Sequence, residues 1–235
     1  MRAVVAHGAG DFRLEDVPDP TLEGGAVVRM EAAGVCAADR MIYKGDSPWE
    51  LTFPFVPGHE NVGTIVELDA EAGQRWGVAE GDMVVNEVMV PCGDCPLCRR
   101  ERFHLCRNGR HIGSSLPGGW AERMAIPPKA RVWRVPAGLA AEEAVVAEPL
   151  ACGIHAVERA DPREGETVVI SGIGAIGAGA LAYVAAVKPA AEIVALVTTP
   201  ERAAIARELG AAAAIDVTAT DAAAELRDRT DGVGP

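Results

Sequence analysis

"VVISGIGAIG", residues 168–177, decides the fold. A β-branched apolar run ends in Gly172, Gly174 and Gly177 at GxGxxG spacing, and an Ala-rich stretch of helical composition follows. A strand that turns sharply into a helix through such a loop aims the helix's first amides, and the positive end of its dipole, at whatever lies above the turn. That arrangement suits a pyrophosphate. Gly172 is expected to allow the turn, Gly174 the close approach of the phosphates, and Gly177 tight helix–strand packing. Ile176, inside the loop, is grouped with them as a cofactor-binding candidate. The competing reading is a glycine turn that serves packing alone. The strand–loop–helix context favours a dinucleotide cofactor.

The chain around this loop alternates. A helical stretch over 139–160 is expected to kink or divide at Pro149, followed by a polar loop. Next come a strand at 167–171, a helix at 175–188 and a strand at 192–197. A helix over 200–209 has Pro200 at its start and Gly210 past its end, and a strand at 213–217 and a helix at 222–230 close the series. Strand–helix alternation predicts a parallel α/β sheet. Residues 1 to about 135 read differently, as short strands ("MRAVVAHG", "GAVVRMEAAG", "GTIVEL", "DMVVNEVMV", "ARVWRVP") separated by Gly, Pro and Asp turns. This half is expected to be all-β and barrel-like. The expected domains are 1–150 and 151–235.

The end of the second α/β strand bears on which dinucleotide would bind. An acidic residue there takes the ribose hydroxyls of NAD, but the strand ends in Val197, Thr198 and Thr199. Glu192 lies twenty residues after Gly172 but at the start of the strand, the wrong end. With no carboxylate to repel it, a 2′-phosphate would meet Thr198, Thr199 or Arg202. The reading leans slightly toward NADP, with use of both cofactors the near alternative.

"CGDCPLCRRERFHLC", residues 92–106, adds a second signal: Cys92, Cys95, Cys98 and Cys106. Thiolates at CxxC spacing sit on tight turns, and four of them close a tetrahedral zinc shell with no open position. The iron–sulfur run that also begins C-x2-C-x2-C continues with three residues and Cys-Pro. Here seven residues intervene and Arg107 follows the last Cys, so structural zinc is favoured over a cluster or free thiols. A closed site folds a lobe, at about residues 88–110, and supplies no chemistry.

Composition excludes some classes. A formal charge of −12 opposes nucleic acid and anionic membrane surfaces. No signal peptide is visible at the N-terminus, and the longest apolar stretch, around 173–187, is too short to span a bilayer. A soluble cytoplasmic protein is expected, in which cysteine clusters bind metal more often than they form disulfides.

Four blocks together resemble the zinc-containing medium-chain alcohol and polyol dehydrogenases: "GVCAADRMIYKGD", "PFVPGHENVGTIVEL", "CGDCPLCRRERFHLC", and "AEPLACGIHAVERA" followed by "GIGAIG". The EPL-type helix is similar to the polyol branch, and the run from Cys36 to Tyr43 with "EPLACGIHAV" and "LRDRTDGVG" resembles erythritol and threitol dehydrogenases. The resemblance implies a GroES-like catalytic domain joined to a Rossmann-type domain. It also implies hydride transfer between a secondary alcohol and NAD(P), with the reverse reduction of a carbonyl as the same chemistry, and a homodimer or homotetramer. It places Cys36 and His59 as constant ligands of a catalytic zinc, Glu60 as an exchangeable ligand, and Glu148 as the branch's third ligand. Asp39 would orient the site. Cys152 is left as a core residue. His7, His104, His111 and His155 match no ligand position.

The chain departs from the family pattern in two respects. The relay hydroxyl two residues after the catalytic Cys is replaced by Ala38, and Met41 stands where several members place a relay His. Tyr43, or a water held by Glu60, is the expected substitute. In addition, three α/β strands are counted where a complete nucleotide-binding sheet has about six. The nucleotide domain is therefore expected to be incomplete at its C-terminal end, as in a fragment or truncated gene. The alternative that follows is a catalytically inactive, zinc-stabilised binding protein.

Overall fold

The computed structural model describes residues 1–187 and 192–234. It divides into two compact units, Met1–Glu148 and Pro149–Pro235.

The first unit is β-rich. A hairpin of β1 (Arg2–Gly8) and β2 (Asp11–Asp16) is followed by β3 (Ala26–Ala33), α1 (Ala37–Lys44), β4 (Asn61–Leu68) and α2 (Ala70–Trp76). Then come β5 (Met83–Asn86), β6 (Met89–Val90), β7 (Arg110–His111), β8 (Arg123–Ile126), β9 (Val132–Arg134) and α3 (Ala141–Ala144). The main sheet is antiparallel in the order β8-β3-β4-β5-β9, and β6 pairs with β7. The expected strand over 82–90 is split into β5 and β6.

The core of this unit forms where apolar residues from these strands converge: Val28, Ile65, Val84, Met124, Ile126 and Val132. Two helices escaped the sequence reading although their caps are local. Asp69 accepts from the amides of Glu71 and Ala72 to start α2, and Gly77, with φ 67°, ends it. At α1 the Asp39 carboxylate accepts from the Cys36 amide, and Gly45, with φ 78°, closes the helix.

α4 (Ala147–Ala160) carries the chain into the second unit. The break in the 139–160 stretch falls at Val145 and Val146, before Pro149. Pro149 therefore lies in the first turn of α4, where its missing N–H forfeits no intrahelical bond.

The second unit alternates as expected: β10 (Thr167–Ser171), α5 (Ala175–Val187), β11 (Glu192–Val197), α6 (Pro200–Glu208), β12 (Ala213–Asp216) and α7 (Ala222–Arg229). Lys188, the expected end of α5, lies outside the described residues. The sheet is parallel in the order β10-β11-β12. Its central strand is buried on both faces, which is why "EIVALV" is a continuous apolar run rather than an alternating one.

Ile193, Ala195 and Val197 pack with Leu181 and Val184 of α5 and Ala206 of α6, while Val194 packs with Ile215 and Leu226 of α7 on the other side. Helices thus cover both faces, which is doubly wound packing. Thr199 accepts from the Arg202 amide at the start of α6, and Pro200 occupies its first position. Among the described residues no helix is long and apolar enough to cross a membrane.

Candidate active site

The β3–β4 ladder assembles the first cluster. Its last pair is Ala33–Asn61, and the next bond runs from the Gly34 amide to the Glu60 carbonyl at 2.8 Å. Cys36 and the His59–Glu60 pair, over twenty residues apart in sequence, therefore meet at one end of the sheet. Their ligand atoms all lie within 4.8 Å of one another. Gly34 is needed there because a Cβ on it would sit 1.9 Å from the Glu60 carboxylate.

Asp39 lies beneath this cluster, 2% exposed, with one carboxylate oxygen 3.8 Å from His59 Nδ1 and lacking a hydrogen-bond partner among the described residues. Burial raises its carboxyl above the usual range, against the opposing bond from the Cys36 amide. Burial also pushes the Cys36 thiol up, and the charge of Glu60 adds to that. Three donors of S, N and O type that face one another, above a buried carboxylate with one oxygen that lacks a hydrogen-bond partner among the described residues, fit a divalent cation with one position left open. Glu148, half-buried in the first turn of α4, is outside this group.

A cavity of about 690 Å³ opens beside the cluster. Ala38, Ile42, Trp49, Leu51, Val88 and Ile112 supply apolar walls, and Glu50, Thr52, His59, His111, Ser114 and Ser115 supply polar ones. Tyr43, offered from sequence as the relay hydroxyl, does not line it. Tyr43 lines a separate cavity of about 240 Å³ with Phe12, Asp39 and Trp120. Helix α1 is the cause: residues 38 and 42 share one face, and residues 39 and 43 share the next. Thr52, Ser114 and Ser115 are hydroxyl residues that line the larger cavity, and His111, which matched no ligand position, lines it too. Cys152 is exposed, not in the core.

The second cluster holds all four expected cysteines within 4.8 Å. Sulfur separations are 4.0 Å (Cys92–Cys98), 3.9 Å (Cys95–Cys106) and 3.5 Å (Cys92–Cys106). Tetrahedral zinc at the usual Zn–S length requires about 3.8 Å, so the set fits without rearrangement. The Cys98 amide holds Cys95 down at about 6, and burial pushes Cys98 up to about 12.

In the second unit, Gly172 has φ 86°, which permits the turn, and a Cβ at Gly177 would lie 1.9 Å from the Gly172 carbonyl oxygen. Nothing lies within 4 Å of a Cβ built on Gly174, so the backbone there is open to a close ligand. Ile176 is 49% exposed on the first turn of α5. The Arg202 guanidinium donates to the Ile173 carbonyl at 2.7 Å, which puts a cation against the glycine loop. Thr198 is exposed, whereas the Thr199 hydroxyl caps α6. Glu192, at the strand's start, is paired with Arg229 at 3.2 Å.

A family model, the alcohol dehydrogenase GroES-like domain, matches residues 23–137. The erythritol/L-threitol dehydrogenase of Mycolicibacterium smegmatis is 41% identical over all of this chain and 67% of its own length. The chain belongs to the zinc-containing medium-chain alcohol and polyol dehydrogenases. Among solved structures of the family, the alcohol dehydrogenase TADH from Thermus sp. ATN1 superposes with a TM-score of 0.87 at 29% identity, over 100% of this chain and 68% of that one. A zinc-binding dehydrogenase from Sinorhizobium meliloti 1021, bound to NADP, gives 0.84 at 31% identity, over 94% and 63%. The chain spans about two-thirds of the length of these family members.

Proposed function

We propose that this chain carries the catalytic metal site and nucleotide loop of a dehydrogenase that transfers hydride between a secondary alcohol of a polyol or sugar-like substrate and NAD(P). The observation that carries the reading is the Cys36–His59–Glu60 cluster, whose His59 lines a cavity large enough for a polyol. Cys36, His59 and Glu60 would hold a catalytic zinc, and Cys92, Cys95, Cys98 and Cys106 a structural one, two ions per chain. A zinc held there would supply Lewis-acid polarisation of a substrate hydroxyl, and a nicotinamide a hydride acceptor.

The chain's own residues supply the rest. Asp39 orients His59 and Cys36 from beneath. Apolar side chains from Ile42, Leu51 and Ile112 exclude water from one side of the cavity. On the polar side, Thr52, Ser114 and Ser115 offer hydroxyls to a polyol and a route outward for its proton, in place of the hydroxyl that Ala38 lacks. Gly174 admits the pyrophosphate to the first turn of α5. Arg202 and Thr198 favour a 2′-phosphate, so the reading keeps a slight lean to NADP, and Glu148 remains a candidate third protein ligand by the family resemblance. The polyol preference draws on the similarity to the erythritol/L-threitol dehydrogenase, and a homodimer or homotetramer on the family.

The test is alcohol-dependent reduction of NAD⁺ and NADP⁺ by the full chain loaded with zinc, using tetritols against ethanol, with Cys36→Ala as the control. Turnover on tetritols that disappears in Cys36→Ala supports the reading. A protein that binds zinc at the four cysteines alone and turns over no alcohol contradicts it.

A further inference from the structure

Two short segments carry the Cys36–His59–Glu60 cluster, and one side chain far away in sequence touches both. The indole N–H of Trp120 donates to the Gly34 carbonyl at 2.9 Å, two residues before Cys36. The backbone amide of the same residue donates to the Pro57 carbonyl at 3.0 Å, two residues before His59. The ring lies against Gly58, where a Cβ would come within 2.3 Å of Trp120 Cδ1. Gly118 and Gly119 extend this seam, their amides bonding the carbonyls of Val56 and Gly58 at 2.8 and 3.0 Å. From the other side, the Trp120 carbonyl accepts from the Val4 amide at 2.8 Å, which fixes the residue to β1.

We propose that Trp120 is the positioning residue of the metal cluster: it sets the separation between the Cys36 arm and the His59–Glu60 arm. The inference rests on the metal reading above. Its physical basis is that a three-ligand site tolerates little error in ligand spacing, and partners that hold ligands in place change metal affinity by about 10- to 100-fold. The β3–β4 ladder ends at Ala33 and Asn61, so beyond it each arm is a loop. Besides Asp39, which touches both arms, the bond from Gly34 to Glu60 and the two bonds from Trp120 tie these loops together. Phenylalanine at this position would still cover Gly58 but leaves the Gly34 carbonyl without its indole donor, so the Cys36 arm loses one of the two hydrogen bonds at Gly34.

The experiment compares metal binding by wild-type, Trp120→Phe and Trp133→Phe full chains, titrating cobalt(II) against a competing chelator and recording the visible spectrum. Trp133 is exposed and serves as the control. Wild type is expected to show two cobalt environments, one with four thiolates and one with a single thiolate. Trp120→Phe is expected to weaken the single-thiolate site about tenfold or more, to shift its ligand-field bands, and to leave the four-thiolate site unchanged. A benzothienyl-alanine at position 120, which keeps the ring shape and removes the N–H, is expected to give the same result if the phenylalanine variant folds poorly. Equal affinity at the single-thiolate site in wild type and in the variants overturns the inference, as does loss of both sites together. A wild-type chain with the four-thiolate site alone overturns instead the metal reading beneath it.

Discussion

Zinc removed from the Cys92–Cys106 lobe and returned at pH 7.5 is expected to expel about two to three protons per ion, because a closed site takes four thiolates and the fold has already ionised some of them. The count follows from the four thiols in turn. Cys95, held at about 6 by the Cys98 amide, is a thiolate at this pH and contributes none. Cys98, pushed up to about 12 by burial, contributes one. Cys92 is raised by the neighbouring Asp94 carboxylate and contributes one more. Cys106 is lowered by the Cys92 amide and contributes between none and one.

The sign is that protons compete with zinc, so apparent affinity falls as pH falls, by about two to three decades per pH unit near 7.5. Between pH 7.5 and 5 Cys95 takes up its own proton and the count rises by about one. The assay is calorimetry of zinc binding to a Cys36→Ser chain, which leaves the lobe as the strong site, in two buffers of different ionisation enthalpy. A release close to four at pH 7.5 refutes the reasoning, since it is the value for thiols that titrate as in an unstructured chain.

Other outcomes follow from the same geometry. Gly177→Ala places a methyl group on the Gly172 carbonyl, so about 1–3 kcal/mol of stability is expected to be lost; dinucleotide binding should vanish while zinc content stays unchanged, checked by thermal denaturation and cofactor titration. Arg202→Ala removes the cation beside the glycine loop and is expected to weaken NADP binding about 10- to 100-fold with little change for NAD, on the scale of a hydrogen bond to a charged group; equal losses for both cofactors contradict this. Ala38→Ser adds a hydroxyl to the wall of the metal-side cavity and is expected to raise kcat with KM little changed, measured as steady-state turnover on tetritols. Leu181→Ala, in the fully buried layer between α5 and the sheet, is expected to cost about 2–5 kcal/mol in chemical denaturation.

What was legible in sequence was what is local. The GxGxxG turn and the cysteine lobe are written within a dozen or so residues, and backbone sterics and thiol spacing determine both. The alternation of the second unit was equally plain, because β11 is an apolar run and α6 carries its own Pro200 and Gly210 punctuation. The Cys36–His59–Glu60 cluster was legible only through a family resemblance: its two arms are joined by antiparallel pairing between β3 and β4, which no short-range pattern encodes. Tyr43 was misplaced for a related reason. Helix α1 had no signature in the sequence reading, and once residues 37–44 form it the one-residue step from Ile42 to Tyr43 puts Tyr43 against a different cavity. The Trp120 bond to Gly34 spans 86 residues, and no signal within either segment announces it. Cys152 was left as a core residue because it lies one helical turn past the Glu148 ligand position, yet it is exposed on that helix.

The central claim is that Cys36, His59 and Glu60 form a metal site distinct from the cysteine lobe. Anomalous diffraction at the zinc edge, on crystals of the full chain grown with zinc and cofactor, tests it most directly. Two peaks per chain are predicted, one among the four lobe thiolates and one bounded by Cys36 Sγ, the His59 imidazole and the Glu60 carboxylate. A single peak, at the lobe alone, would contradict the account.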